Sequence, residues 1–423
     1  MEVTYIGHAA MMMHSGGKTI LMDPWLTDPT YHGAWFHFPQ LEIGVDQLPK
    51  IDYLYISHEH PDHFDPPTLA RLDKDVEVLI ANFGRKRFLE RLRKLGFTNI
   101  TELEFQTDYR PEGSPMTFRL IPPDRAWDDS AILVRDDRHI ILNVNDCHLD
   151  DTTLSELGQR FEIDLAFLTF TGASQYPNCF DFPPESRRDR ALASKTSHLE
   201  EFVHWAKLLR TKRAVPAAGN FALLAPDQLS MNDPDYANTP GEAIDALAAG
   251  APEIEGLQMN PADRWSEEGG LQRFKPAPDW NRRIEMIEAL SRDMRGTVEK
   301  YFADEPAAGP GLFERFRTYF NGLLEKDPLT AADIAITVWW HIEGPEGGDW
   351  YIDFSRDGDW VQYGEPRDWN LRIAIADKLV DLGLSGTGVD RADRIRLRSA
   401  PTRTFHPPSN VSTHSVSSRT VTQ

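Results

Sequence analysis

Three histidines fall within six residues in Ile56-Ser57-His58-Glu59-His60-Pro61-Asp62-His63-Phe64, and this stretch constrains the chain more than any other. The run before it, Ile51-Asp52-Tyr53-Leu54-Tyr55, has the length and aromatic, β-branched content of a buried strand. His58, His60, Asp62 and His63 therefore sit on a short loop just past a strand end, where a turn can aim all four side chains at one point. Neutral imidazole and carboxylate suit zinc, iron or manganese, and no thiolate takes part.

The chain of 423 residues has room for two or three domains and a large core. Its formal charge of −21 argues against a nucleic-acid partner, which needs a basic footprint. No run approaches the roughly 18–20 apolar residues of a membrane span, and the start of the sequence lacks a signal-peptide pattern. Cys147 and Cys179 are too few for a disulfide framework, so reduced thiols and a cytoplasmic location are expected.

Val3–Tyr5, Ala10–His14 and Thr19–Met22 read as strands, with a turn at Gly16-Gly17. After the histidine loop, Pro66–Arg71 starts a helix, Val76–Ile80 is a strand, and Arg85–Leu95 is an amphipathic helix ended by Gly96. Thr117–Ile121, Ser130–Val134 and His139–Asn143 are strands. Ser197–Leu209, with His198 and His204, reads as an ordinary surface helix. This alternation fits an αββα sandwich over residues 1–240. Two further loops follow strand ends and carry carboxylates: Asn143-Val144-Asn145-Asp146-Cys147-His148, and the stretch from Pro122 to Ser130 with Asp124, Asp128 and Asp129. The aromatic stretch with Tyr31, His32, Trp35, Phe36, His37 and Phe38 either walls an apolar pocket or covers a sheet edge.

The order His-x-His-x-Asp-His resembles the signature of the metallo-β-lactamase superfamily. That resemblance implies two adjacent metals, one held by His58 and His60 and the other by Asp62 and His63, with Asp146 as the carboxylate between them. Tyr5-Ile6-Gly7-His8-Ala9 and Asp23-Pro24-Trp25-Leu26 resemble the start of the branch containing ascorbate-lactone hydrolases and N-acyl-phosphatidylethanolamine phosphodiesterases. There His8 is a catalytic candidate beside the metals, or else a buried structural histidine. The chain departs from the family where Asp124, Asp128 or Asp129 replaces an expected histidine, and where Asn220, after Arg213–Ala218, replaces another. His148 is an extra ligand candidate. Oxygen donors in these places harden the centre towards iron or manganese.

Ile141–Cys147, Gly172–Phe180 and Pro216–Phe221 resemble segments of the metallo-β-lactamase-like part of the CMP-N-acetylneuraminate hydroxylases. Those hydroxylases also carry a Rieske domain, whose cluster needs two cysteines and two histidines at close spacing. The two cysteines here, 32 residues apart, cannot supply one. The chain is thus also similar to metallo-β-lactamase-fold diiron monooxygenases of natural-product biosynthesis, such as those acting on diterpenoid intermediates of platensimycin-type pathways.

Residues 241–289 read as a connecting segment with short helices, and 290–400 as a smaller α+β domain. That domain has helices at Arg282–Arg295, Gly311–Leu324 and Leu371–Gly383. Its three antiparallel strands are Ala335–Trp340, Trp350–Phe354 and Trp360–Gln362, with turns at Gly344–Gly348 and Asp357-Gly358. It resembles the sterol-carrier-protein-2-like domains that follow some enzymes of this superfamily, which implies an apolar tunnel or cap. Its Trp339, Trp340, Trp350 and Trp360 equally suit a plain core. Residues 401–423 read as a flexible tail.

The expected function is a non-haem diiron monooxygenase using O₂ and an external electron donor on an apolar small molecule, such as a diterpenoid acid or its thioester. The alternatives are a dizinc hydrolase of a phosphodiester, lactone or thioester, and a lipid-binding protein with a degenerate metal site. A homodimer is left open.

Overall fold

A computed structural model of the chain describes residues 1–125, 128–172, 176–226, 228–356, 358–385 and 396–399. It divides into two compact units, residues 1–173 with 192–295, and residues 174–191 with 296–423.

In the first unit the opening strands form as the alternation predicts. Glu2–Gly7, Ala10–Ser15 and Lys18–Met22 pair antiparallel, with Glu2 opposite His14 and Met11 opposite Met22. Gly16 and Gly17 both take positive φ in the turn, +51° and +80°, a conformation that favours glycine. Tyr53–Tyr55 then lies parallel to Lys18–Met22, and Glu77–Ala81 and Ile100–Leu103 continue in the same sense. A second sheet places Leu165–Leu168 between Ile140–Asn143 and Arg213–Pro216, all three parallel. Ala131–Arg135 and Thr117–Ile121 extend it antiparallel beyond Ile140–Asn143.

Both faces of this second sheet are apolar, as parallel strands require. Ile132, Val134, Ile141, Phe167 and Val215 join a core shared with Ile6, Met11, Ile20 and Leu54 of the first sheet. The alternating residues Leu133, Leu142, Ala166, Leu168 and Ala214 pack instead on Leu154, Phe202, Trp205 and Leu247. Those four belong to helices Asp151–Arg160, Pro184–Leu209 and Pro240–Gly250. This is the αββα arrangement that the histidine signature implies.

Helix Asp151–Arg160 starts at Asp150, whose side chain accepts from the Thr153 amide. Gly158 lies against the end of helix Pro184–Leu209, where an added Cβ would stand 2.3 Å from the Leu208 carbonyl oxygen. Gly158→Ala gains helix propensity but forces two backbones apart. The contact should win, lowering stability by roughly 1–3 kcal/mol. An unchanged urea midpoint for that variant would refute this.

Three elements differ from the sequence reading. Residues 241–289 do more than connect. Glu255–Gly256 pairs with Arg213–Pro216, and the hairpin Arg264–Ser266 and Gly270–Gln272 pairs with Glu2–Gly7 through Val3 opposite Trp265. These strands are too short to show periodicity, yet they close an edge of each sheet and bury Trp265. The helix expected from Ser197 begins at Pro184, because its charged first half carries no apolar stripe. Leu371–Gly383 divides into a strand, Leu371–Ala376, and a helix, Asp377–Leu384. Ile373 and Ile375 alternate at strand spacing, and Val338–Glu343 offers six residues of parallel partner.

The sheet of the second unit runs Val361–Tyr363, Gly348–Asp353, Thr337–Glu343, Leu371–Ala376, Arg396–Ser399. The first three strands are antiparallel. Phe316 from helix Leu312–Lys326 joins Trp350, Trp360 and Leu379 in a core of its own, and Trp340 packs against it. Trp339 stays outside that core and donates to Asp349 at 2.8 Å. Asp357 of the expected turn, residues 173–175 of the expected loop, and the 401–423 tail lie outside the described residues.

Candidate metal centre

Lys18–Met22, Tyr53–Tyr55 and Glu77–Ala81 run parallel, as do Ile140–Asn143, Leu165–Leu168 and Arg213–Pro216, so the loops leaving their C-terminal ends gather at one side of each sheet. Ser130 ties the two sets together. Its carbonyl accepts from Tyr55 (2.7 Å) and from Asn145 Nδ2 (2.9 Å), and its hydroxyl donates to the Ser57 carbonyl (3.2 Å). His8, Asp23, Asn145 and Ala218, all at strand ends here, take positive φ of 51°, 42°, 47° and 55°. Non-glycine residues in that region mark backbone that its surroundings hold under strain.

The histidine loop is pinned by its last residues. Phe64 is buried in the core with the Arg91 guanidinium over its ring, and its amide closes a turn on the His60 carbonyl at 2.7 Å. Asp65 caps helix Pro66–Arg71 through the Thr68 amide. Glu59 is drawn aside to Arg91 at 2.8 Å, which leaves His58, His60, Asp62 and His63 to face inwards.

Two groups of side chains converge closely enough to hold a metal ion: His58, His63 and Asp146, and His8, Asp62 and His63. His63 belongs to both. Its Nε2 stands 3.2 Å from Asp146 Oδ1 and 3.5 Å from Asp62 Oδ2. His58 Nε2 is 3.8 Å from Asp146 Oδ2 and 2.6 Å from His60 Nδ1. His8 Nε2 reaches Asp62 Oδ2 at 2.9 Å, and Tyr31 donates to Asp62 Oδ1 at 2.7 Å.

Two of the imidazoles have a carboxylate at their other nitrogen. His58 Nδ1 faces Asp129 Oδ1 at 3.2 Å, and His63 Nδ1 faces Asp23 Oδ2 at 3.1 Å. Asp23 is fixed in turn by the Ser57 amide (2.7 Å) and hydroxyl (2.9 Å). A carboxylate on Nδ1 keeps the proton there and leaves the Nε2 lone pair for a metal. His63 Nε2 and Asp146 Oδ1 are buried and make no hydrogen bond. Orphaned polar atoms of this kind are rare in cores, and a cation between them would satisfy both.

Charge reinforces the geometry. Burial alone would depress His58, but Asp129 and Asp146 outweigh it and hold the imidazole up at about 9. Burial also opposes charge on His63, yet Asp146, Asp62 and Asp23 hold it well above its ordinary value. Burial raises Asp62 and Asp146, and the neighbouring imidazoles more than reverse this, keeping both below the ordinary carboxylate range.

The remaining candidates lie elsewhere. Asp124 pairs with His148 Nδ1 at 2.8 Å in an open groove that also holds Glu201 and His204. His148 packs edge-on to Trp205 with ring centroids 5.5 Å apart, turned from Asp146 two residues earlier. Asp128 is exposed. Asn220 meets His8 only through its backbone carbonyl, 3.3 Å from Nδ1. His198 bonds the Ser194 carbonyl and His204 bonds Asp151, as surface-helix residues do. The aromatic stretch divides its work. Tyr31 holds Asp62, Trp35 stacks on Phe221 beside His8, and Phe38 lines a small cavity at His8. Sequence reasoning missed Asp23 and Tyr31. The available signal was an aspartate ending the strand next to the one that feeds the histidine loop.

A β-lactamase superfamily domain matches residues 2–120. A Mycolicibacterium smegmatis protein named for a Rieske 2Fe-2S iron-sulfur protein is 31% identical over 243 residues, 55% of this chain and 46% of its own length. A Mycobacterium tuberculosis protein of similar name is 33% identical over 382 residues, 82% of this chain and 71% of its own. The cytidine monophosphate-N-acetylneuraminic acid hydroxylase of Danio rerio is 29% identical over 251 residues, 57% and 42% respectively. The chain spans less than half the length of the first and third of these relatives. With a strand-end histidine loop at the edge of an αββα sandwich, and a domain match over that same region, the chain belongs to the metallo-β-lactamase superfamily.

Proposed function

We propose that the chain is a non-haem dinuclear iron monooxygenase that hydroxylates an apolar small molecule. The observation that carries this is the orphaned, buried pair His63 Nε2 and Asp146 Oδ1 at the meeting of two ligand groups whose donors are imidazole and carboxylate alone. His58, His63 and Asp146 would hold one ion, with His60 beside His58, and His8, Asp62 and the shared His63 the other. Two imidazoles and one carboxylate for each ion is a donor set that non-haem iron oxygenases use. Two iron ions supply the binding and reduction of dioxygen. Similarity to the Danio rerio hydroxylase supports an oxidative reading.

The protein's part is orientation and exclusion. Asp129 and Asp23 aim the two imidazoles, and Tyr31 fixes Asp62. Trp25, fully buried, stacks on His37 and meets His8 edge-on, keeping water from that side. Asp146 is the open side, its side chain 30% exposed, and the substrate's C–H bond would be presented there. The chain has two cysteines, 32 residues apart and both buried, short of the two cysteines and two histidines at close spacing of a Rieske cluster, so electrons would come from an external donor. A diterpenoid acid or its thioester is a fitting substrate class, and a sterol-carrier-like second unit would help to bind it. No described helix is long and apolar enough to cross a membrane.

Protein purified without added metal should contain close to two irons per chain. Two zincs, with turnover of p-nitrophenyl phosphodiesters and no need for O₂, would establish the hydrolase alternative instead.

Metal uptake should also be proton-linked. The metal-free protein favours protonated His58 up to about pH 9, and a metal takes only the neutral ring. Apparent affinity should therefore rise with pH towards 9, with at least one proton released per chain at pH 7. Titration calorimetry in buffers of different ionisation enthalpy counts that proton, and a count of zero would contradict the geometry. In the metal-free fold the same raised value stabilises fully below the unfolded histidine's pKa, and that stabilisation is lost as pH climbs through about 9.

A further inference from the structure

The short helical turn Trp280–Arg282 belongs to the segment whose strands close the two sheet edges, and Asp279 caps it by accepting from the Asn281 amide. This turn brings Trp280 to the His8 side of the metal centre. Trp280 and Asn220 line one small cavity together with His8, Phe38 and Met259. Trp280 meets Phe38 edge-on there, with ring centroids 5.7 Å apart.

Most polar groups around this cavity are committed. The Tyr5 hydroxyl donates to the His8 carbonyl at 2.7 Å. His37 is held by Asp28 at Nδ1 and by the Trp25 carbonyl at Nε2, and the Asn260 side-chain amide reaches Asp263. Two groups are not. Trp280 Nε1 is a buried donor and Asn220 Oδ1 a buried acceptor, and neither has a hydrogen-bond partner among the described residues. Left so, each costs about as much as a lost hydrogen bond. The cavity they line offers ≈ 20 Å³. A single water needs about 10–15 Å³ and polar partners, and an organic ligand needs far more.

The same asparagine reaches the centre through its backbone. Its carbonyl lies 3.3 Å from His8 Nδ1, while the His8 carbonyl accepts from the Ala218 amide at 3.0 Å. The other ring nitrogen, His8 Nε2, is turned to Asp62. We infer that one internal water, accepting from Trp280 Nε1 and donating to Asn220 Oδ1, occupies this cavity and makes Asn220 and Trp280 positioning residues for His8. The bridge fixes the Asn220 side chain. The Asn220 carbonyl then holds the His8 ring with its proton on Nδ1 and the Nε2 lone pair towards the metal. The role of His8 as a ligand rests on the proposed metal centre, whereas the water does not.

Two measurements on the full chain test this. In metal-free protein the Trp280 indole N–H resonance, assigned through Trp280→Phe, should show cross-relaxation to a bound water. Asn220→Leu, which keeps the size and removes the acceptor, should abolish that signal. In protein titrated anaerobically with Fe²⁺ against a chromophoric chelator, Asn220→Leu and Trp280→Phe should each weaken metal binding by about fivefold, the scale of one hydrogen bond. The double variant should lose no more than the larger single loss, because both residues act through one bridge. Two residues that merely support the fold would give losses that multiply. Should Asn220→Leu not fold, the indole signal of the parent chain still decides. No cross-relaxation in the parent, or multiplying losses in the double variant, would overturn the inference. A centre that binds zinc and hydrolyses esters would leave the indole signal in place, so this inference and the monooxygenase reading fail separately.

Discussion

Asp146→Ala is expected to reduce tightly held metal from two ions per chain to one or none and, on the proposed monooxygenase function, to lower O₂-dependent turnover by about a thousandfold or more, the scale for a group that acts as part of a catalytic unit. Asp146 is the carboxylate that the second sheet brings to the histidines, with Oδ1 3.2 Å from His63 Nε2 and Oδ2 3.8 Å from His58 Nε2. Truncating it removes the one residue that faces both imidazoles from that sheet. Elemental analysis after chelation and reloading gives the count. An Asp146→Ala protein that still holds two ions would remove Asp146 from the centre. Its metal-free form should also hold the His58 and His63 protons less tightly, because burial would then act against fewer carboxylates.

The second large effect separates three aspartates that look alike in the sequence. Asp129→Ala should weaken metal binding by about 10–100-fold, the usual scale for losing a carboxylate behind a ligating histidine. Asp129→Asn, which keeps an acceptor for His58 Nδ1, should recover part of the loss. Asp124→Asn and Asp128→Asn should leave affinity unchanged, since Asp124 is engaged with His148 in the outer groove and Asp128 is exposed. Competition titrations against a chromophoric chelator would rank the four variants. Equal losses for Asp124 and Asp129 would mean that the loop carries a ligand after all. Asp23→Ala should behave like Asp129→Ala, acting through His63, and should also release Ser57.

The histidine loop was legible because all its information is local. A strand of apolar residues must end, the next residues must turn, and residues of one ligand chemistry were packed into that turn. Asp146 was legible for the same reason, as a carboxylate one turn past a strand. His8 was legible only through its neighbours Tyr5-Ile6-Gly7, and it is the fold that sets its Nε2 2.9 Å from Asp62 Oδ2. In the second unit, the aromatic strands announced themselves, but Leu371–Ala376 did not. Its pairing with Val338–Glu343 is a contact between distant segments, and local helix propensity was the stronger signal within the segment itself.

What the sequence determined by itself was a set of candidate donors and the strand ends that present them: His58, His60, Asp62, His63 and Asp146, of which His58, Asp62, His63 and Asp146 converge in the fold. The tertiary structure decided which carboxylates stand behind those donors and which face away. Asp23, Asp129 and Tyr31 come from three separate segments, and nothing in their own neighbourhoods distinguishes them from solvated strand-end or loop residues. Parallel pairing of Tyr53–Tyr55 with Lys18–Met22 brings Asp23 to His63, and the cross-sheet bonds at Ser130 bring Asp129 to His58. Periodicity and spacing report only on contacts within a few residues, whereas orienting a metal-ready imidazole depends on packing two sheets face to face.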